Sequence, residues 1–189
     1  MSPPTQREQA FIAFLEGLVE REQLGALAAL RRGLGRPPGE APGMHPFVMP
    51  WLPATASPWD EEPYYLVAAL FAFHPANDSR EGSDLGTAFA WFDRDTTGGG
   101  AERRFVALLG CDREDLPENL RHAVALMRSK SVPIPWAQLL HDIRGWDLPR
   151  RPVQRQWARS FWGTASARDD EAAGATAPSM KPEGGNHVS

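Results

Sequence analysis

The stretch Leu116–Trp162, LPENLRHAVALMRSKSVPIPWAQLLHDIRGWDLPRRPVQRQWARSFW, decides the fold class and contains most of the candidate functional residues. Between Arg121 and Gly163 eight basic residues (Arg121, Arg128, Lys130, Arg144, Arg150, Arg151, Arg155 and Arg159) face two acids, Asp142 and Asp147. That window carries +6 in a chain of net charge −4, so the remainder carries −10. Val153, Trp157 and Phe161 recur every fourth residue, and Arg151, Arg155 and Arg159 do the same with an offset of two. At about 100° per residue the two sets lie roughly 200° apart, so the helix expected over 152–162 buries an aromatic stripe and exposes an arginine stripe.

Working back along the chain, Phe11, Phe14, Leu15, Leu18 and Val19 follow helical spacing over residues 6–20. Thr5 and Glu8 stand at the positions of a capping box. A second helix is expected over 22–32, with Leu24, Leu27, Ala28 and Leu30 for packing and Gly33 and Gly35 as its stop. Arg31 and Arg32 fall in its last turn, where they complement the helix dipole or meet a phosphate. Seven prolines between Pro37 and Pro58 exclude long regular structure, leaving short helical turns around Phe47, Val48, Trp51 and Leu52. Helices over 59–73 (inner face Leu66, Leu70 and Phe73) and to about Phe92 (capped by Ser83 or Asp84) follow. His74 is expected to cap a helix end or to be solvated.

Residues 93–100, DRDTTGGG, read as a flexible connection; they lack the Lys-Ser/Thr and the preceding strand of a phosphate-binding loop. Helices over 101–111, 117–129 and from Pro135 complete the pattern. Arg103 and Arg104 stand near the start of the first of these, where cations oppose the dipole; Glu102 neutralises one of them or an external anion does. The sum is about eight helices and no strand signal: an all-α, bundle-like domain over 1–163. The small, polar, aromatic-free residues 164–189 are expected to be a disordered tail.

Several function classes lose ground on composition. No apolar run approaches the ~20 residues of a membrane span, and no signal-peptide pattern opens the sequence, so the cytoplasm is the expected compartment. The single cysteine, Cys111, excludes an internal disulfide and a cysteine-based zinc site; a small filler at a helix end is expected. His141 and Asp142 are adjacent on a helix and point about 100° apart, which is unsuited to a catalytic pair. Asp93 and Asp95 have no partner ligand patterned with them, so no metal, no cofactor and no catalytic residues are expected.

The succession ERRFVALLGCDRED, LRHAVALMRS, IPWAQLLHDIRGWD and RRPVQRQWARSFW, with LAALRRGLG before it, resembles the CasB family over roughly residues 6 to 163. That family is the small subunit of the type I-E CRISPR Cascade complex. The resemblance implies a non-enzymatic subunit, two copies of which stack head to tail against the backbone and large subunits. It implies contact with guide RNA and target DNA that stabilises the R-loop and the displaced strand. Carried onto this sequence, the contacts are Arg31 and Arg32 of LRRG, Arg103 and Arg104 of ERRF, Arg121 and Arg128, and Arg150, Arg151, Arg155 and Arg159. Lys130 and Arg144 join the set through the basic window. The Pro-rich 36–58 segment and the polar tail depart from the family pattern. The competing reading is a helical adaptor whose arginines only solvate its surface.

Overall fold

The structure is a computed structural model that describes residues 2–94 and 99–175, and side chains up to 163 apart from that of residue 94. Among these residues it is all-α, with nine α-helices and one isolated parallel bridge, Asn77 to Ile134. The helices are α1 (Gln6–Glu20), α2 (Leu24–Arg31), α3 (His45–Val48), α4 (Pro58–Phe73), α5 (Leu85–Arg94), α6 (Gly100–Gly110), α7 (Leu116–Ser129), α8 (Trp136–Arg144) and α9 (Pro152–Ala175). Eight match the sequence expectation. The ninth, α3, is one of the short turns in the Pro-rich segment, set between 3-10 turns at Pro42–Met44 and Met49–Trp51. It seats Val48 fully in the core.

α4 is the axis. It packs against α2 on one side and α8 on another, with α1, α3 and α7 also in contact. Consequently Tyr64, Tyr65 and Val67 through Ala72 are all buried, whereas the expected inner-face residues Leu66 and Phe73 are only half-buried. A helix enclosed on most sides has no single apolar stripe to read. Ser57 closes a capping box with Asp60, and Pro63 lies inside the helix, where the Trp59 carbonyl that it cannot serve accepts instead from Arg113 (3.3 Å). Leu24, expected to pack, is 72% exposed at the start of α2, where Gln23 precedes it without a side-chain cap.

The second cluster is built on α9. It lies along α5, which passes so close that a Cβ on Gly86 would fall inside the Trp157 carbonyl oxygen. Phe161 stacks on Phe105 of α6 (4.7 Å) and Trp157 on Trp146 (5.2 Å). The buried tryptophans each satisfy their indole N–H: Trp136 on the Ala76 carbonyl, Trp146 on the Cys111 carbonyl and Trp157 on Asp142. The aromatic and arginine stripes fall as expected, with Trp157 and Phe161 buried and Arg151, Arg155 and Arg159 exposed. The helix itself runs beyond the expected end at 162, to Ala175. Of the segment expected to be a tail, residues 176–189 lie outside the described residues, as do 95–98 of the glycine-rich connection and with them Asp95.

Two further expectations change. His74 is buried rather than solvated, and its Nε2 stands 2.7 Å from the Val132 carbonyl, tying the end of α4 to the loop after α7. Glu102 accepts from the Trp162 indole (3.2 Å) rather than from Arg103 or Arg104.

Gly86→Ala is expected to force α5 and α9 apart and lower stability by about 1–3 kcal/mol, the range for overpacked cores. Thermal unfolding of the purified chain measures it; an unchanged midpoint would mean that the two helices are not in backbone contact.

Candidate nucleic-acid interface

The twelve basic residues singled out by sequence divide by what their head groups touch. Arg32, Arg103, Arg150, Arg155 and Arg159 are exposed, and their guanidiniums meet no partner among the described residues. Arg31, Arg104 and Arg151 are exposed but bound to backbone carbonyls. Arg31 Nε donates to Ala72 at the end of α4 (2.7 Å), and Arg104 donates to Gly100 in its own first turn (3.1 Å). Arg151 donates to Leu109 (2.8 Å) and Cys111 (3.2 Å), closing the C-terminal end of α6. Cations at helix C-termini satisfy carbonyls that have no intrahelical donor. Arg121 pairs with Glu118 one turn away (3.1 Å). Arg128 lies over the Phe73 ring (4.3 Å) and Lys130 over Phe92 (4.9 Å).

Arg144 belongs elsewhere. Its guanidinium reaches Glu8 of α1 at 2.8 Å and Asp60 of α4 at 3.5 Å, and Glu8 is fully buried. Glu8 also completes the capping box with Thr5 and accepts from His141 (3.1 Å). Burial works to raise the Glu8 carboxyl, but the Thr5, Arg144 and His141 contacts outweigh it and hold the group below the usual carboxylate range. Arg144 is therefore a strut joining α1, α4 and α8. His141 faces Glu8 while Asp142 faces the other way, to Gln138 and Trp157, so the two do not form a pair.

Three of the five free arginines come together. Arg150, Arg155 and Arg159 line one groove of about 440 Å³, bordered also by Ser2, His141 and Gln156. Arg150 and Arg151 both take positive φ (67° and 49°), which turns the chain sharply into α9 and places Arg150 at the groove mouth. Arg31 and Arg128 converge separately on Ala72–Phe73 at the end of α4, although 97 positions separate them in sequence. Arg103 and Arg104 stand at the start of α6, beside α9 at Trp162 and Phe161. Arg121 lines another cleft, with Arg36, Pro37 and Glu118. The basic residues thus form several groups rather than one uninterrupted row.

Sequence reading missed two arginine–tryptophan stacks. Arg113 lies over Trp59 (4.4 Å), which is 62% exposed, and Arg80 over Trp91 (4.5 Å). Both arginines also reach acids, Arg80 to Asp78 (2.8 Å) and Arg113 to Asp147 (3.6 Å). Nothing in the spacing separates these exposed tryptophans from the buried ones. No group of three or more metal-ligating side chains occurs among the described residues, and burial pushes the Cys111 thiol up to about 11, an unreactive state at neutral pH.

The model of the family described as CRISPR-associated protein Cse2 matches residues 26–162. A CRISPR-associated protein Cse2 from Thermus thermophilus is 35% identical over 171 residues, covering 89% of this chain and 95% of that protein. The crystal structure of CasB from M. ruber superposes with a TM-score of 0.72 at 35% identity, covering 88% of this chain and 98% of the other. A chain of a CRISPR RNA-guided surveillance complex in a pre-nicking state gives 0.75 at 28% identity, with the same coverage of 88% and 98%.

The division of arginines has a direct test in stability. Arg144→Ala removes the arginine partner of a buried carboxylate and should cost about 2 kcal/mol, below the roughly 3–5 of a fully buried pair because Arg144 keeps solvent access and His141 still reaches Glu8. Arg155→Ala and Arg159→Ala should each stay within about 0.5 kcal/mol of the parent. Urea unfolding of the three variants compares them; equal losses would contradict the assignment of Arg144 as a strut.

Proposed function

The chain belongs to the CRISPR-associated Cse2 family, and from that membership we propose that it is a non-catalytic, nucleic-acid-binding subunit of a CRISPR RNA-guided surveillance complex. In that role it contacts guide RNA and target DNA, stabilises the R-loop and holds the displaced strand. Its protein partners are the backbone and large subunits of the Cascade complex and a second copy of itself. The observation that supports this most is the groove in which Arg150, Arg155 and Arg159 present guanidiniums that pair directly with no side chain of the described residues. An arginine kept free of its neighbours retains its planar donor fork for phosphate oxygens.

Such contacts give affinity and salt dependence without reading bases. Sequence choice in an RNA-guided complex comes from pairing with the guide, so a sequence-blind arginine groove is what the division of labour requires. Arg103, at the start of α6, and Arg32 offer further free guanidiniums, whereas Arg144 is withdrawn from the interface. Arg31, Arg104 and Arg151 commit part of their donors to carbonyls and keep the rest for solvent or phosphate.

A second reading, a protein–protein adaptor, has one observation in its favour. Trp59 and Leu148 are 62% and 54% exposed beside the same cavity, together with Arg113 and Asp147. An aromatic, an aliphatic and a charged pair on one face suit a protein partner. In a multi-subunit complex this surface is compatible with the first reading, because one face can hold neighbours while the arginine groove meets nucleic acid.

Guide-loaded complex assembled with the Arg155→Ala/Arg159→Ala variant should retain duplex target less well, with a salt slope shallower by about 0.7–0.9 for each phosphate no longer bound. Correct assembly with unchanged retention at every salt concentration would exclude this groove, and the adaptor reading would then lead.

A further inference from the structure

The wall of the arginine groove includes a carboxylate. Asp142 lines it and is only 3% exposed, so a negative charge stands under the site proposed for phosphate. Asp142 is held by two donors, Trp157 Nε1 at 2.7 Å and Gln138 Nε2 at 2.8 Å. The same Gln138 nitrogen also donates to the Ser2 carbonyl at 3.3 Å. Ser2 borders this groove and the neighbouring cavity of about 590 Å³, which Pro3, Asn77 and Arg80 also line. One side-chain amide thus joins the buried acid to the segment that separates two cavities.

We propose that Asp142 is a proton-linked positioning residue: proton uptake there turns Gln138, releases the Ser2 carbonyl, and favours anion binding between Arg150, Arg155 and Arg159. This rests on the reading of that groove as a nucleic-acid contact. Donor geometry fixes the sequence of events. The Trp157 indole can only donate, so Oδ2 of Asp142 must remain an acceptor. A proton taken from solvent therefore resides on Oδ1, which faces Gln138. The new O–H needs an acceptor, which the Gln138 nitrogen is not, so Gln138 turns its oxygen toward it. The turn removes the donor that held the Ser2 carbonyl. It also leaves the groove with one negative charge fewer.

The surroundings place the event in an accessible pH window. Burial pushes the Asp142 carboxyl up to about 6; the Trp157 and Gln138 hydrogen bonds pull down, Asp84 at the start of α5 adds to the rise, and His141 opposes it. Burial likewise raises Asp84, which accepts from Ser160 of α9. Of the other charged groups on elements packed against α8, Glu8 of α1 and Asp60 of α4 are both engaged by Arg144. From α9, Arg155 and Arg159 line the same groove as Asp142. The folded value lies above the ordinary aspartate value of 3.8, so the folded chain takes up the proton first as pH falls. The associated stability is present at low pH and is lost as pH rises through about 6. A phosphate seated in the groove adds negative charge and draws the proton on further, so binding tightens as pH falls.

The test uses the full chain, a fluorescein-labelled oligothymidylate and fluorescence anisotropy at fixed ionic strength. Wild-type Kd should be at least about threefold lower near pH 5.5 than near pH 7.5, as one linked proton permits. Asp142→Asn keeps an acceptor for Trp157 and a donor for the turned Gln138; it should bind at the higher pH as tightly as wild type does at the lower, with a flat profile. His141→Gln should still bind more tightly at the lower pH than at the higher, because Asp142 remains in place. A flat wild-type profile, or a pH dependence that survives in Asp142→Asn, overturns the proposal. Absence of binding at every pH counts instead against the nucleic-acid reading of the groove. In that case nitrogen-15 NMR of wild type decides the proton switch. The Trp157 indole, the Gln138 amide and the backbone amides of Ser2 and Thr5 should titrate together near pH 6, and independent or absent titration overturns it.

Discussion

The hydrogen bond from the Trp157 indole to Asp142 fixes the helix on which the interface is built. A buried carboxylate is costly to desolvate unless donors replace its water, and here the indole and the Gln138 amide do so. Around that bond the other anchors of α9 are ordered: Ser160 donates to Asp84, Gln154 to the Trp146 carbonyl, and Gly86 lets α5 approach to backbone contact. Each of these holds the buried side of α9, and that leaves Arg155 and Arg159 unpaired with any side chain among the described residues. Rigid seating matters because a guanidinium row on a loosely held helix would lose entropy on every phosphate it met.

A physical rule separates the arginines that hold the fold from those that are left over. Three arginines are drawn to a helix end or a buried acid: Arg31 to the end of α4, Arg151 to the end of α6 and Arg144 to Glu8. These side chains stabilise the bundle by satisfying groups that would otherwise be stranded. Arg150, Arg155 and Arg159 make no such contact among the described residues and border one groove. A basic window in sequence is therefore a mixture, in which charge count overstates the surface potential offered to a ligand.

The helical framework was legible because its signals are local. The Thr5–Glu8 capping box, the Asp84 cap and the four-residue repeat of Val153, Trp157 and Phe161 are each contained within a few positions, and each appears in the structure. What escaped the sequence depends on distant partners. Glu8 reads as a capping residue, yet its second role, as counter-ion to Arg144, needs α1 and α8 to meet across 136 positions. The burial of Leu70 against the partial exposure of Phe73 follows from how many helices surround α4, which no periodicity in α4 records. The tryptophans show the same limit: Trp157 is fully buried and Trp59 is 62% exposed, and only the tertiary contacts distinguish them.

The same dependence on distant partners explains why interface and core cannot be tuned independently here. Asp142 sits in the wall of the arginine groove and also anchors Trp157, so one carboxylate belongs to both. Replacing it with an apolar residue would remove a charge from beneath the arginines but strand an indole and an amide. Retaining it ionised satisfies those donors but opposes an incoming phosphate. A neutral acid meets both demands at once, provided that a side-chain amide able to reverse its donor and acceptor stands beside it, and Gln138 occupies that position.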